Sequence, residues 1–173
     1  SGVLRSLRTY YGGQDRRRAM DELYRSFLRP GDLAFDIGSH VGDRIASFRR
    51  LGATVVAIEP QPALTRVLRL LYGRDPLVSI ERVSVGETPG SADLLVNRAN
   101  PTVSTVSTAF VAAAEGADGW ERQSWDASLR VPQTTLDALI GTYGTPAFIK
   151  IDVEGFEADV LAGPLLAAEA RAA

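Results

Sequence analysis

The sequence predicts an α/β domain in which a mostly parallel sheet is flanked by helices. Three observations predict it. Between residues 33 and 85, short apolar runs alternate with segments whose apolar residues recur at helical spacing, in the order strand, helix, strand, helix, strand. The crossovers are about as long as parallel pairing requires. The first, second and last strand candidates each end on an acid, at Asp36, Glu59 and Asp152, as strands do when their carboxyl ends frame a cleft.

The elements follow in chain order. Met20, Leu23, Tyr24, Phe27 and Leu28 recur at helical spacing until Pro30-Gly31 stops the helix, so an N-terminal helix packs on the sheet. "LAFDI" is the first strand. Val41, Ile45, Phe48 and Leu51 line one face of the next helix, which Gly52 ends in the left-handed conformation. "ATVVAIEP" is a buried strand, and Leu64, Val67, Leu68 and Leu71 mark a helix that stops at Gly73. "LVSIERVSV" is the third strand. After the turn signal "ETPGS", "ADLLVN" reads as a strand returning antiparallel beside the third. Residues 98–130 read as an irregular insert or cover, rich in small residues and holding Trp120 and Trp125. "TTLDALIGTYG" is a short helix, "PAFIKIDVEGF" a fourth buried strand, and the Ala-rich tail after Pro164 a helix.

Composition limits the function. The chain has 173 residues, 45% hydrophobic and 23% charged, which suits one globular domain. Its parts are an N-terminal helical segment at 1–30, a ligand-binding half at 31–97, the insert at 98–130, and the acidic strand with a C-terminal helix at 131–173. A net charge of −2 offers no field to draw nucleic acid or an anionic membrane, so neither is an expected partner. Without cysteine there is no disulfide framework or thiolate site, and one histidine cannot make a multi-histidine metal centre. No metal is expected, because Asp152 and Glu154 alone are a thin coordination shell. With no apolar run near ~20 residues and no signal-peptide pattern, the expected location is the cytoplasm. The chain opens "SGV", as an excised domain would.

The stretch "FDIGSHVGD" poses the functional question. Gly38 and Gly42 permit a tight strand-to-helix turn and let a ligand approach the main chain, and the following helix start attracts an anion such as a carboxylate or phosphate. Glu59 lies 23 residues after Asp36, where an acid can accept two hydrogen bonds from a ribose diol. Nicotinamide nucleotides and S-adenosylmethionine both carry that diol. A dinucleotide turn wants G-x-G-x-x-G, but Ser39-His40 follows Gly38 here, and Asp36 sets an anion near where pyrophosphate would sit. The same Asp36 could receive the ammonium of a methionine moiety, so S-adenosylmethionine fits better. A nicotinamide-dependent oxidoreductase and a cofactor-binding domain without turnover are the alternatives.

"FDIGSHVGD", "AIEP" and "FIKIDVEGFEADVLAG", in this order and at these distances, resemble the FkbM family of S-adenosylmethionine-dependent methyltransferases over roughly Leu33 to Gly163. The resemblance implies a Rossmann-like class I methyltransferase fold. It also implies that Asp36, Gly38, Ser39, His40 and Gly42 form the cofactor loop, with Glu59 and Pro60 at the ribose and Val83 and Ser84 near adenine. Lys150, Asp152 and Glu154 match the acidic motif near the transferred methyl, and Asp152 serves the cofactor as well. The implied acceptor is a hydroxyl on a small metabolite such as a sugar or a polyketide or antibiotic intermediate.

His40 stands where the family usually has Asn. Only ten residues follow Gly163, so the last C-terminal strands of the family fold are expected to be lacking and the outer edge of the fourth strand to seek a partner, as in a homodimer. Lys150 is the only lysine in the chain. An ion pair that supports the site and direct participation in catalysis both remain open for it.

Overall fold

The computed structural model describes residues 2–11, 13–115, 117–121 and 123–162. The expected helix after Pro164 lies outside them. The central sheet contains β1 (Leu33–Ile37), β2 (Thr54–Ile58), β3 (Val78–Glu81) and β7 (Phe148–Ile151), ordered β3-β2-β1-β7 and parallel throughout. The α/β architecture with a mostly parallel sheet is thus present, built by strands whose successive residues face opposite layers. Ala34, Val55 and Ala57 pack against Tyr24, Leu28, Ile45, Phe48 and Leu68 on one face. Phe35, Ile37, Val56 and Ile58 pack against Val85, Leu136, Leu139 and Val160 on the other. Helices α2 (Gln14–Arg25), α3 (Asp43–Arg50) and α4 (Pro62–Tyr72) cover the first face, and α6 (Leu136–Tyr143) and α7 (Glu157–Leu161) the second.

Four features depart from the sequence reading. The N-terminal helical segment holds two helices, α1 (Gly2–Tyr11) ahead of α2, where the apolar spacing marked one. The third strand divides, because β2 runs out at Ile58 opposite Glu81 and Pro60 has no N–H to continue the ladder. Beyond Glu81 the chain takes a new partner as β4 (Ser84–Val85) in a second sheet, ordered β4-β6-β5. There β5 (Gly90–Val96) pairs antiparallel with β6 (Ala127–Thr134), not with the third strand. Since β6 begins at Ala127, the irregular cover is shorter than 98–130 and contains a 3-10 turn at Pro101–Val103 and the helix α5 (Thr108–Ala114).

The fourth strand of the sequence, β7, is half-buried where a buried one was expected, because it pairs only with β1 among the described residues. The tryptophans anchor the cover: the Trp125 indole N–H donates to the Val103 carbonyl at 2.9 Å, and Phe110 meets both Trp120 and Trp125 edge-on. No helix among the described residues is long and apolar enough to cross a membrane.

Candidate functional site

The carboxyl ends of β1, β2 and β7 open into a cleft of about 830 Å³, counting its open mouth, roofed by the cover and by Tyr10 of α1. The loop after β1 forms its floor. Gly38, His40 and Gly42 all have positive φ, at 77°, 50° and 84°. His40 thus takes a left-handed conformation that few side-chain-bearing residues adopt. The loop is held by its own bonds: Gly38 and Ser39 N–H donate to the Ile58 carbonyl, and the Ser39 hydroxyl to the Asp36 carbonyl at 2.6 Å.

Glu59 binds that loop to β2. One carboxylate oxygen accepts the His40 N–H and the other the Gln61 N–H, both at 2.9 Å, although the residue is only 3% exposed. Burial pushes its carboxyl up to about 7, against the pull of those two backbone bonds and of Lys150. A carboxylate offers about four acceptor positions, so two main-chain bonds leave room for two more donors from the cleft. Val83, Val85, Ile58 and Leu94 form an apolar wall beside it.

At the end of β7 the charges form a chain. Lys150 pairs in register with Asp36 across β1 and β7. Its ammonium lies 3.4 Å from an Asp36 oxygen and 3.4 Å from an Asp152 oxygen, and donates to the Gly38 carbonyl at 3.0 Å. Burial works to lower the Lys150 pKa, but Asp36 and Asp152 outweigh it and hold the group above its usual value. Lys150 therefore stays charged near neutrality. Asp36 is wholly buried, its carboxyl raised by burial against the attraction of Lys150, and it makes no wall of the cleft.

Of the residues singled out in the sequence, Gly38, Ser39, His40, Glu59, Pro60, Val83, Ser84, Lys150, Asp152 and Glu154 line this cleft, while Asp36 and Gly42 lie behind it. The cation that Asp36 meets is Lys150, so a ligand ammonium has no path to it. The glycines have a packing use as well. A Cβ at Gly38 would come within 1.9 Å of the Asp152 carbonyl oxygen, and one at Gly42 within 2.8 Å of Leu68 and Tyr72 side chains. Both admit neighbouring protein, and Gly38 also faces the cleft.

Asp152 and Glu154 follow the strand. The Asp152 side chain is 55% exposed into the cleft, and Glu154 has φ 51° with its carbonyl accepting from Thr105 at 2.8 Å. Burial, then Asp152 and Glu157, raises the Glu154 carboxyl. Sequence reasoning missed Tyr10, Arg44, Gln61, Thr102 and Thr105 in the lining. Only the paired aromatics Tyr10-Tyr11, just before two glycines, offered a signal. His40 turns its ring to this missed side, edge-on to Tyr10 at 5.3 Å between centroids and 3.4 Å from the Thr102 hydroxyl. Burial lowers its pKa to about 4.

A family model described as the methyltransferase FkbM domain matches residues 36–171. No curated protein matches the chain. Among solved structures, the C-terminal domain of precorrin-6Y C5,15-methyltransferase from Rhodobacter capsulatus is 15% identical, with a TM-score of 0.34, over 70% of this chain and 89% of that one. Coclaurine N-methyltransferase bound to N-methylheliamine and SAH is 18% identical, with a TM-score of 0.34, over 38% of this chain and 21% of that one. The chain covers 35%, 29% and 21% of the lengths of the first three solved chains it resembles.

Proposed function

The chain belongs to the FkbM methyltransferase family, and from that premise we propose that the cleft binds S-adenosylmethionine and passes its methyl group to a hydroxyl of a small metabolite. The observation that carries this reading is Glu59: a buried carboxylate at the cleft, fixed by two main-chain N–H groups and with acceptor positions to spare. That donor and acceptor set fits a ribose diol. Val83, Val85 and Leu94 suit a purine face, while at the start of α3 the Arg44 guanidinium is already paired with Asp43. When bound, the cofactor supplies an electrophilic methyl on a sulfonium.

The chain supplies position and charge. Displacement needs the acceptor oxygen held in line with the methyl carbon, so orientation carries much of the acceleration. Asp152, exposed in the cleft, accepts the acceptor's hydroxyl hydrogen bond and takes its proton. Glu154 beside it adds negative charge that favours a cationic donor. Lys150 is the support for this arrangement, since a charged ammonium between Asp36 and Asp152 cannot serve as a base. It fixes the Gly38 carbonyl and the aspartates relative to one another.

Parallel calorimetric titrations with S-adenosylmethionine, S-adenosylhomocysteine and NAD test the reading. The first two should bind and NAD should not. Tight NAD binding would favour an oxidoreductase, and cofactor binding without transfer to any hydroxyl acceptor would leave a binding domain. The outer edge of β7 is the surface where a second copy would pair, and light scattering at high concentration reads that directly.

A further inference from the structure

Helix α1 lies outside the segment that the family model matches, yet it reaches the cofactor loop. Its start is wedged against the cover: a Cβ on Gly2 would meet Pro101 at 2.5 Å and the Ala99 carbonyl at 2.8 Å, and Arg5 donates to that carbonyl at 3.3 Å. Its end meets the loop. The Tyr11 hydroxyl lies 2.9 Å from the Val41 carbonyl, the Tyr72 hydroxyl of α4 lies 2.8 Å from the Gly42 carbonyl, and the two hydroxyls are 2.6 Å apart. Three short contacts thus share two hydroxyl protons. Removing either hydroxyl leaves a loop carbonyl without its donor.

The loop needs such outside help. Gly38, His40 and Gly42 are all in left-handed conformations, a costly arrangement for a side-chain-bearing residue that persists only where surroundings impose it. Lys150 holds the Gly38 carbonyl from one side, and the tyrosines hold Val41 and Gly42 from the other. Between these anchors lie the His40 N–H that fixes Glu59 and the His40 ring that meets Tyr10. We propose that Tyr11 and Tyr72 are positioning residues for the cofactor loop, so that docking of α1 and binding of the cofactor in the cleft are coupled. The proposal rests on the cofactor reading above for its ligand, though not for the latch itself. By linkage the coupling is reciprocal: bound cofactor holds α1 in place as firmly as α1 favours the cofactor.

The test compares the full chain with Tyr11→Phe, Tyr72→Phe, the double variant and Leu4→Ala, a control on the exposed side of α1. Amide hydrogen exchange is measured with and without S-adenosylhomocysteine, and affinity by calorimetry. Without ligand, Tyr11→Phe should speed exchange both in 2–11 and at 38–42, where the amides of Gly38, Ser39, His40 and Gly42 are all hydrogen-bonded. Its affinity for S-adenosylhomocysteine should fall about five- to tenfold, the scale of one lost hydrogen bond. The double variant should lose more than either single one, because each hydroxyl serves its own loop carbonyl. Ligand should slow exchange in α1 of the unmodified chain, and Leu4→Ala should change neither loop exchange nor affinity.

Unchanged exchange at 38–42 in ligand-free Tyr11→Phe would overturn the latch. Faster exchange with full affinity would overturn the coupling. If the unmodified chain bound no S-adenosylhomocysteine, the cofactor reading would fall, and the ligand-free exchange would still decide whether Tyr11 holds the loop.

Discussion

Glu59 stands at the meeting of burial and chemistry, and its titration is open to measurement. Burial places its carboxyl at about 7, so near neutrality a fraction of the ligand-free protein carries a proton there. A ribose diol donates to the ionised form, and each unit of pH below the pKa should weaken S-adenosylhomocysteine by up to about tenfold. Calorimetry from pH 8 to pH 6 should show that decline, while Glu59→Gln, which cannot titrate, should bind more weakly and with no slope. His40 adds nothing to this window because its ring, lowered to about 4, stays neutral throughout. On the proposed function, Asp152 governs the rate. With an acceptor identified, Asp152→Asn should cut single-turnover transfer ~10²-fold or more, as loss of a general base does, and leave cofactor affinity nearly intact. A small loss of rate would make Asp152 a partner of Lys150 alone.

The elements explain why these residues meet. Gly38 lets β1 and the end of β7 approach until the Asp152 carbonyl occupies the place of a side chain. Gly38→Ala should therefore cost more than ~3 kcal/mol in denaturant unfolding, combining overpacking with left-handed strain. Gly31→Ala, at φ 92° with nothing within 4 Å, should cost only the strain, about 1 kcal/mol. Equal losses would mean that the contact with β7 yields easily. The first two crossovers were legible in the sequence because helix and strand periods are local, and the acids at strand ends followed from them. The second sheet was not. Strand β5 finds β6 across more than thirty residues, with Gly90 opposite Gln133, and no local pattern announces such a partner. Helix α1 was legible only as part of a helical segment, because its worth lies in tyrosine contacts with a distant loop.

Across the whole molecule, the cofactor cleft and the stability of the fold pull on pH in opposite directions. The native carboxyl of Glu59 titrates at about 7, against an ordinary value of 4.5 for an unfolded glutamate. Between those values the folded chain holds the proton more tightly, so its contribution is complete below about 4.5 and is lost as pH rises through 7. The difference corresponds to roughly 3 kcal/mol. Asp36, raised by burial and only partly offset by Lys150, acts in the same direction. Asp21 and Asp75 are instead held low by hydrogen bonds from Arg50 and Arg49, so their contributions persist until the pH falls below the usual carboxylate range. Those two leave pH 6 to 8 flat, but His40 does not: burial lowers its ring to about 4 against an ordinary 6.5, so its contribution grows as pH rises through 6.5 and opposes that of Glu59. The ligand-free protein should therefore melt at a slightly higher temperature at pH 6 than at pH 8, since Glu59 loses more than His40 gains, and Glu59→Gln should reverse the trend at a general cost, because its amide accepts only one of the two main-chain N–H groups. Saturating S-adenosylhomocysteine should stabilise more at pH 8, where the ionised carboxylate gains the diol as donors. A melting temperature that instead rises from pH 6 to pH 8 without ligand would mean that Glu59 is ionised in the folded chain at neutral pH, which leaves the gain from His40 unopposed.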